Sequence, residues 1–185
     1  MKTIQIGPRT FQLERRTYMM GILNITPDSF SDGGKYRDME SILKRTETML
    51  QEGADIIDVG GESTRPGYTM ISEEEERSRV IPVIREIKRK FHAPVSVDTY
   101  KSAVAEEALS SGADMVNDIW GLQFDKKMAR TIADHHAACC LMHNRKQAAY
   151  ANFIPDCLSD LRKTVRLAEE GGIEPAKLVL DPGVG

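Results

Sequence analysis

The chain has 185 residues, 41% of them hydrophobic and 29% charged, with a formal net charge of -3. That balance is typical of a soluble globular protein, and the length suits one domain over residues 1–185. Acidic and basic residues are interspersed, which argues against a nucleic-acid partner, and no long apolar run opens the chain, which argues against a membrane partner.

The first element in chain order is a hairpin. Residues 3–13 hold two short alternating runs around Gly7-Pro8. One pattern then repeats: a short apolar run, a polar loop and an amphipathic stretch. Strands are predicted at 18–23, 55–59, 94–97, 114–116, 138–142 and 177–180, and helices at 39–52, 72–90, 101–111, 126–135 and 157–170. Ser72 followed by Glu75 forms a capping box, and Gly53, Gly112 and Gly171 stand where helix C-terminal glycines belong. The acidic run 73–76, followed by Arg77, Arg79, Arg85, Lys88, Arg89 and Lys90, reads as the solvated face of one helix. Cys139, Cys140 and Cys157 lack the spacing of a metal site or a redox pair, so they are read as thiols of a cytoplasmic protein.

Strands alternating with helices predict an α/β fold with a parallel sheet and right-handed crossovers. An open doubly wound sheet competes with a TIM-type (β/α)8 barrel. The first strand runs into Asn24-Ile25-Thr26-Pro27, so the glycine-rich turn of a dinucleotide-binding fold is missing. Polar residues also end most of the strands: Asn24, Asp98, Asn117, His143 and Asp181. In a barrel those ends meet at one mouth, where active sites lie, so the barrel is favoured. A barrel takes roughly 250 residues for eight units, so this chain supplies about six. The sheet is therefore expected to be open between the first and sixth strands, leaving the chain aggregation-prone.

Alternation along the strands puts Ser96 with Asp98, Met115 with Asn117, Cys140 with Met142 and Val179 with Asp181. If the opposite set packs under helices, Asp98, Asn117, Met142 and Asp181 face the mouth. Two carboxylates and an amide around an apolar wall suit a flat, nitrogen-rich heterocycle. Each acid could instead cap a helix, and for Asp98 and Asp118 that alternative stays open. Asp58 is expected to point inward as a network residue, and His143 to serve packing or to support the site from behind. Trp120 is read as a wall or core residue. Two loops stand at the mouth: 24–34 combines a potential metal-binding amide with two acids and a glycine pair, and 60–67 sets an arginine and hydroxyls on a glycine-framed loop, a mixture suited to an anion such as diphosphate. Their length and composition predict that 26–36 and 63–71 are poorly ordered without ligands.

Here the motifs become specific. NITPDSFSDGG after MGIL, GADIIDVGGESTRPG at 53–67, SVDTYK at 96–101, VNDIWG at 116–121, LMHNR at 141–145 and LDPGVG at 180–185 resemble, in order, the signatures of dihydropteroate synthases. The resemblance implies condensation of p-aminobenzoate with (7,8-dihydropterin-6-yl)methyl diphosphate, releasing diphosphate. It implies that Asn24 helps hold Mg2+, that Thr64 contacts the pterin diphosphate, and that Asp98, Asn117 and Asp181 bind the pterin edge beside Ile119 and Met142. Phe30, Asp32, Arg65 and Pro66 would form the p-aminobenzoate pocket, with Asp32 and Arg65 as the catalytic pair. The family pattern continues past Gly185 with a lysine-containing and an Arg-x-His motif, and its homodimer uses helices from that region. Two other readings remain: a pterin-binding corrinoid-type methyltransferase, which needs neither the Thr64-Arg65 loop nor a metal ligand at Asn24, and an inactive pterin-binding fragment.

Overall fold

A computed structural model describes residues 2–25, 35–62 and 70–184, with the backbone alone for 35–38. Strands β1 (Thr3–Ile6) and β2 (Arg9–Gln12) form the expected antiparallel hairpin, turning at Gly7, whose φ is +56°. The repeat follows as β3 (Met20–Asn24), α1 (Lys35–Gln51), β4 (Ile56–Gly60), α2 (Glu73–Lys90), β5 (Val95–Asp98), α3 (Ser102–Ser110), β6 (Met115–Asp118), α4 (Met128–Asp134), β7 (Ala138–Met142), α5 (Phe153–Glu170) and β8 (Leu178–Asp181). The six strands β3 to β8 pair in parallel in sequence order, so β3 and β8 are the edges of the described sheet. On the edge strands Ile22 is 65% and Leu180 40% exposed. Among the described residues, no helix is long and apolar enough to cross a membrane.

Two cores lie on the two faces of this sheet. Leu23, Ile57, Val59, Val95, Val97, Val116, Cys139 and Leu141 point outward into a layer built with Val80, Ile84 and Ile87 of α2, Val104 and Ala108 of α3 and Ile132 of α4. The alternate residues Ile56, Met115 and Ala138 point inward and pack on Ile4, Ile6 and Phe11 of the hairpin. The hairpin therefore plugs the concave face at the end away from the strand C-termini. Arg16 ties its exit to the sheet through the buried Asp55, which also accepts the Met19 N–H at 3.0 Å. Asp114 does similar work beneath β5, taking Lys88 Nζ at 2.7 Å and the Val95 N–H at 2.8 Å.

Helices α1 and α5 begin four residues earlier than predicted, and the other element ends depart from expectation by at most two residues. Strands β3, β4, β5 and β8 each run one residue further than predicted, and β6 two, because parallel pairing holds their last residues in register. Helix α2 starts as predicted: Ser72 Oγ accepts the Glu75 N–H at 3.1 Å. Gly53 and Gly112 take the positive φ of helix-ending glycines, at +108° and +105°. After α5 that conformation falls to Gly172, with φ of +90°, and Gly171 stays helical. Gly171 is small for a different reason, since a Cβ there would meet the Cβ of Ala129 at 2.4 Å.

Gly171→Ala tests this reading. The substitution gains about 0.4–1 kcal/mol from a less flexible unfolded chain, but overpacking against α4 costs about 1–3 kcal/mol. The packing loss should win, and the thermal midpoint should fall by a few degrees, at about 2–4 °C per kcal/mol for a chain of this size. A higher midpoint would mean that the α4–α5 contact is loose.

Candidate active site

Parallel register assembles the site. Asn24, Gly60, Asp98 and Asn117 are consecutive partners across β3, β4, β5 and β6, all near the C-terminal ends of their strands. Two residues further back, Asp58 pairs with Ser96. Asn117 Nδ2 reaches over β5 to donate to Asp58 Oδ2 at 3.0 Å. Strands two apart in a flat sheet lie about 10 Å from each other, so this bond reflects an inward curl of the sheet. Gly60 makes room for the convergence: a Cβ there would stand 3.3 Å from Asn24 Oδ1 and 3.4 Å from Asp98 Oδ2.

The acids are poorly compensated. Asp58 Oδ1, Asp98 Oδ1 and Ser96 Oγ are buried and lack hydrogen-bond partners among the described residues. Burial pushes the Asp98 carboxyl well above the ordinary carboxylate range, and the charges of Asp58, Glu76, Asp118 and Glu62 push it the same way. Burial also raises Asp58, against the neighbouring Ser96 hydroxyl and Asn117 amide, of which only the amide is in bonding geometry. Unbonded buried acceptors facing a concave mouth are unfavourable in an empty fold and useful to a ligand rich in N–H donors.

The capping alternative is settled differently for the two acids. Asp118 is structural: its oxygens accept the Trp120 and Leu122 N–H groups, each at 2.8 Å, and shape a loop in which Gly121 and Leu122 have φ of +55° and +67°. Burial raises its pKa to about 6, against those N–H groups. Asp98 caps nothing among the described residues. The start of α3 is served by Asp125, which accepts the Ser102 N–H at 2.9 Å.

On the far side of the mouth, Met142 and Asp181 are register partners two residues beyond Cys140 and Val179. Asp181 Oδ1 accepts the Gly183 N–H at 2.8 Å, so part of this carboxylate supports its own turn. Cys140 marks where the two sides meet. Burial drives its thiol pKa up to about 12, and Asp181, Asp58 and Asp98 all add to the rise. Ile119 and Met142 are half-buried near the end of β6 and on β7, where they can serve as apolar walls. His143 faces outward, where its Nε2 lies 3.1 Å from Asp160, in keeping with a packing role. Trp120 is half-buried.

Asn24 is an exposed amide beside Asp98, with an oxygen that suits Mg2+, a hard cation that keeps several waters and phosphate oxygens. Among the described residues no three His, Cys, Asp or Glu side chains gather as a metal cage. Phe30, Asp32, Thr64, Arg65 and Pro66 lie outside the described residues, as do most of the loops predicted to be poorly ordered.

One group of residues escaped the sequence reading. Glu76, assigned to a solvated face, is 1% exposed. It meets Lys101 Nζ at 2.6 Å, and Lys101 meets Glu62 Oε2 at 2.8 Å. A signal was present: Glu76, Val80, Val83, Ile84 and Ile87 recur at helical spacing, which places Glu76 in the apolar stripe.

Residues 20–185 match the pterin binding enzyme family. The chain belongs to that family, among the dihydropteroate synthases. It is 53% identical over 182 residues to dihydropteroate synthase of Clostridium beijerinckii, covering 98% of this chain and 68% of the relative. The Bacillus subtilis enzyme is 50% identical over 184 residues, covering 100% of this chain and 65% of the relative. Among solved structures, dihydropteroate synthase of Clostridium difficile in the presence of pteroic acid superposes with a TM-score of 0.89 at 48% identity, covering 92% of this chain and 65% of that one. The Xanthomonas albilineans enzyme with 4-aminobenzoic acid gives 0.91 at 38% identity, covering 100% and 67%. The chain thus spans about two thirds of the length of these relatives. Its six parallel strands and the five α-helices between them, among the described residues, are those of a TIM-type barrel.

The buried acids also set a pH dependence. Asp58, Asp98 and Asp118 hold protons more tightly in the folded chain than in the unfolded one. The stability they cost is absent below their ordinary value of 3.8 and appears as pH rises through the raised folded values, for Asp118 between 3.8 and about 6. Asp98→Asn should therefore resist urea better than the parent at about pH 8, with the advantage shrinking toward about pH 4. A variant weaker than the parent at the higher pH would show that the carboxylate is not penalised by its surroundings.

Proposed function

We propose that the protein acts as a dihydropteroate synthase, joining p-aminobenzoate to (7,8-dihydropterin-6-yl)methyl diphosphate with loss of diphosphate. The observation that carries this is the mouth where Asp58 and Asp98 each keep one buried oxygen without a partner among the described residues, with Asn117 donating to the other oxygen of Asp58 and Asp181 ending β8. A pterin edge offers amino and ring N–H donors to such acceptors, and charge-assisted bonds of that kind are worth about 1.5–3 kcal/mol each. Asp98, Asn117 and Asp181 are assigned to the pterin edge, and Ile119 and Met142 to its faces. Phe30, Asp32, Thr64, Arg65 and Pro66 are assigned, by their motifs, to the diphosphate and the p-aminobenzoate.

The chemistry asks for charge stabilisation more than for a base. Diphosphate leaves a methylene attached to an electron-rich ring, so positive charge develops on that carbon as negative charge develops on the leaving oxygens. The neutral aromatic amine attacks without prior deprotonation. Carboxylates near the ring favour the first charge, and a cation such as Arg65 favours the second. Asn24 would hold Mg2+, which supplies Lewis-acid stabilisation of the diphosphate oxygens. The free thiols of Cys139, Cys140 and Cys157 accord with a cytoplasmic setting.

Calorimetry with the pterin diphosphate, with and without Mg2+, tests the assignment. Binding strengthened by Mg2+ is expected, and Mg2+-independent pterin binding would instead favour a methyltransferase of the same barrel family. Asp98→Asn should stay folded and lose about tenfold to a hundredfold in affinity, one charge-assisted bond's worth. A variant that binds pterin like the parent would remove Asp98 from the site. The donors of the ligand favour ionised Asp98, whose carboxyl burial holds well above the ordinary value of 3.8, so binding should strengthen as pH rises above that ordinary value. Affinity constant above that value would mean that the ligand does not engage the acid pair.

A further inference from the structure

A cavity of about 500 Å3 lies between the loops that follow β6 and β7, with α5 contributing to its wall. The first of these loops is held firmly, because Asp118 accepts the Trp120 and Leu122 N–H groups. It presents two rings to the cavity: those of Trp120 and Phe124, with centroids 6.5 Å apart and planes inclined at 35°. Phe124 is braced edge-on against Tyr100 at 4.5 Å, yet it remains 46% exposed. A braced aromatic wall that stays half open is a surface for another flat ring.

The rest of the lining is rich in unused donors. Gln123 Oε1 accepts Lys163 Nζ at 2.8 Å, so its amide NH2 is the free end. Asn144, Lys146 and Gln147 come from the second loop, and among the described residues their side chains make no hydrogen bond or ion pair. The indole Nε1 of Trp120 is buried and also lacks a partner among the described residues. The acid of the lining, Asp160, is already compensated: Arg145 Nε donates to its Oδ2 at 2.6 Å, and His143 Nε2 lies 3.1 Å from the same oxygen. Arg145 is spent in turn, since it also donates to the Ala149 carbonyl and stacks 4.4 Å from the centre of the Tyr150 ring. What remains is one free ammonium, several neutral amide donors and an aromatic wall. A phosphate dianion is better served by an unpaired guanidinium or a nest of backbone N–H groups, whereas one ammonium with amides matches a single negative charge.

We propose that this cavity binds a flat aromatic monocarboxylate, its ring against Trp120 and Phe124 and its carboxylate toward Lys146 and the free amides. None of these residues is among those assigned to the pterin or to the diphosphate, so the proposal stands whether or not that assignment does. The class includes p-aminobenzoate, which would have a second, non-reacting place to bind beside the mouth.

Trp120 is the single tryptophan of the chain, so its fluorescence reports on this wall. Benzoate is the probe, with benzyl alcohol as the ring without the charge and acetate as the charge without the ring. Benzoate should change the emission saturably, and calorimetry should give the same Kd. Benzyl alcohol should bind at least about fivefold more weakly, and acetate should leave the emission unchanged. Lys146 is exposed, so Lys146→Gln should keep the thermal midpoint of the parent while weakening benzoate by about fivefold and benzyl alcohol by less than about twofold. Asp98→Asn should bind benzoate like the parent. No saturable binding by either method, equal affinity for benzoate and benzyl alcohol, or full benzoate affinity in Lys146→Gln would overturn the proposal. Loss of benzoate in Asp98→Asn would also overturn it, by moving the ligand to the mouth.

Discussion

Everything at the mouth depends on carboxylates that the fold buries without neutralising. Asp58 and Asp98 stand two residues apart in register on adjacent strands, each with a buried oxygen that lacks a partner among the described residues. Such an arrangement persists only because the surrounding structure over-determines it. Parallel pairing fixes the strand positions, and the outward neighbours Val59, Val95 and Val97 are sealed under helices at 0% exposure. The acids cannot turn away from each other without breaking that layer.

The two ends of the concave face divide the work. The hairpin and the apolar inward residues Ile56, Met115 and Ala138 close one end, where stability is gained by burial. The other end carries Asn24, Asp98, Asn117 and Asp181, whose polar atoms face space that a ligand can use. Between them lies Cys140, an apolar-flanked thiol that senses three carboxylates. Loops can vary at the mouth while the plugged end stays constant, which is how barrels of this type accommodate different chemistry.

The Lys101 cluster shows that the supporting layer is not wholly apolar. Its charges are satisfied by one another and by backbone, whereas Asp58 and Asp98 each keep one oxygen without a partner among the described residues. That contrast separates a polar group kept for geometry from one kept for binding. Asp118 belongs with the former, since both of its oxygens are taken by the loop it shapes.

The sequence by itself determined the order of elements, the α/β class, the family and the inward set on each strand. These are local: alternation of period two along a strand, helical spacing and capping residues act within a few positions. Only the tertiary structure decided which polar residues are spent on the fold. Asp98 and Asp118 look alike as acids near strand ends, and the distinction came from whether backbone N–H groups turned back toward them. Glu76 reads as one of four exposed glutamates until α2 packs against the sheet and brings Lys101, 25 residues later, to meet it. The adjacent glycines 171 and 172 exchanged roles because contact with Ala129 on α4, not the turn alone, demanded a missing side chain. Long-range packing selects among locally equivalent residues, and no local pattern carries that information.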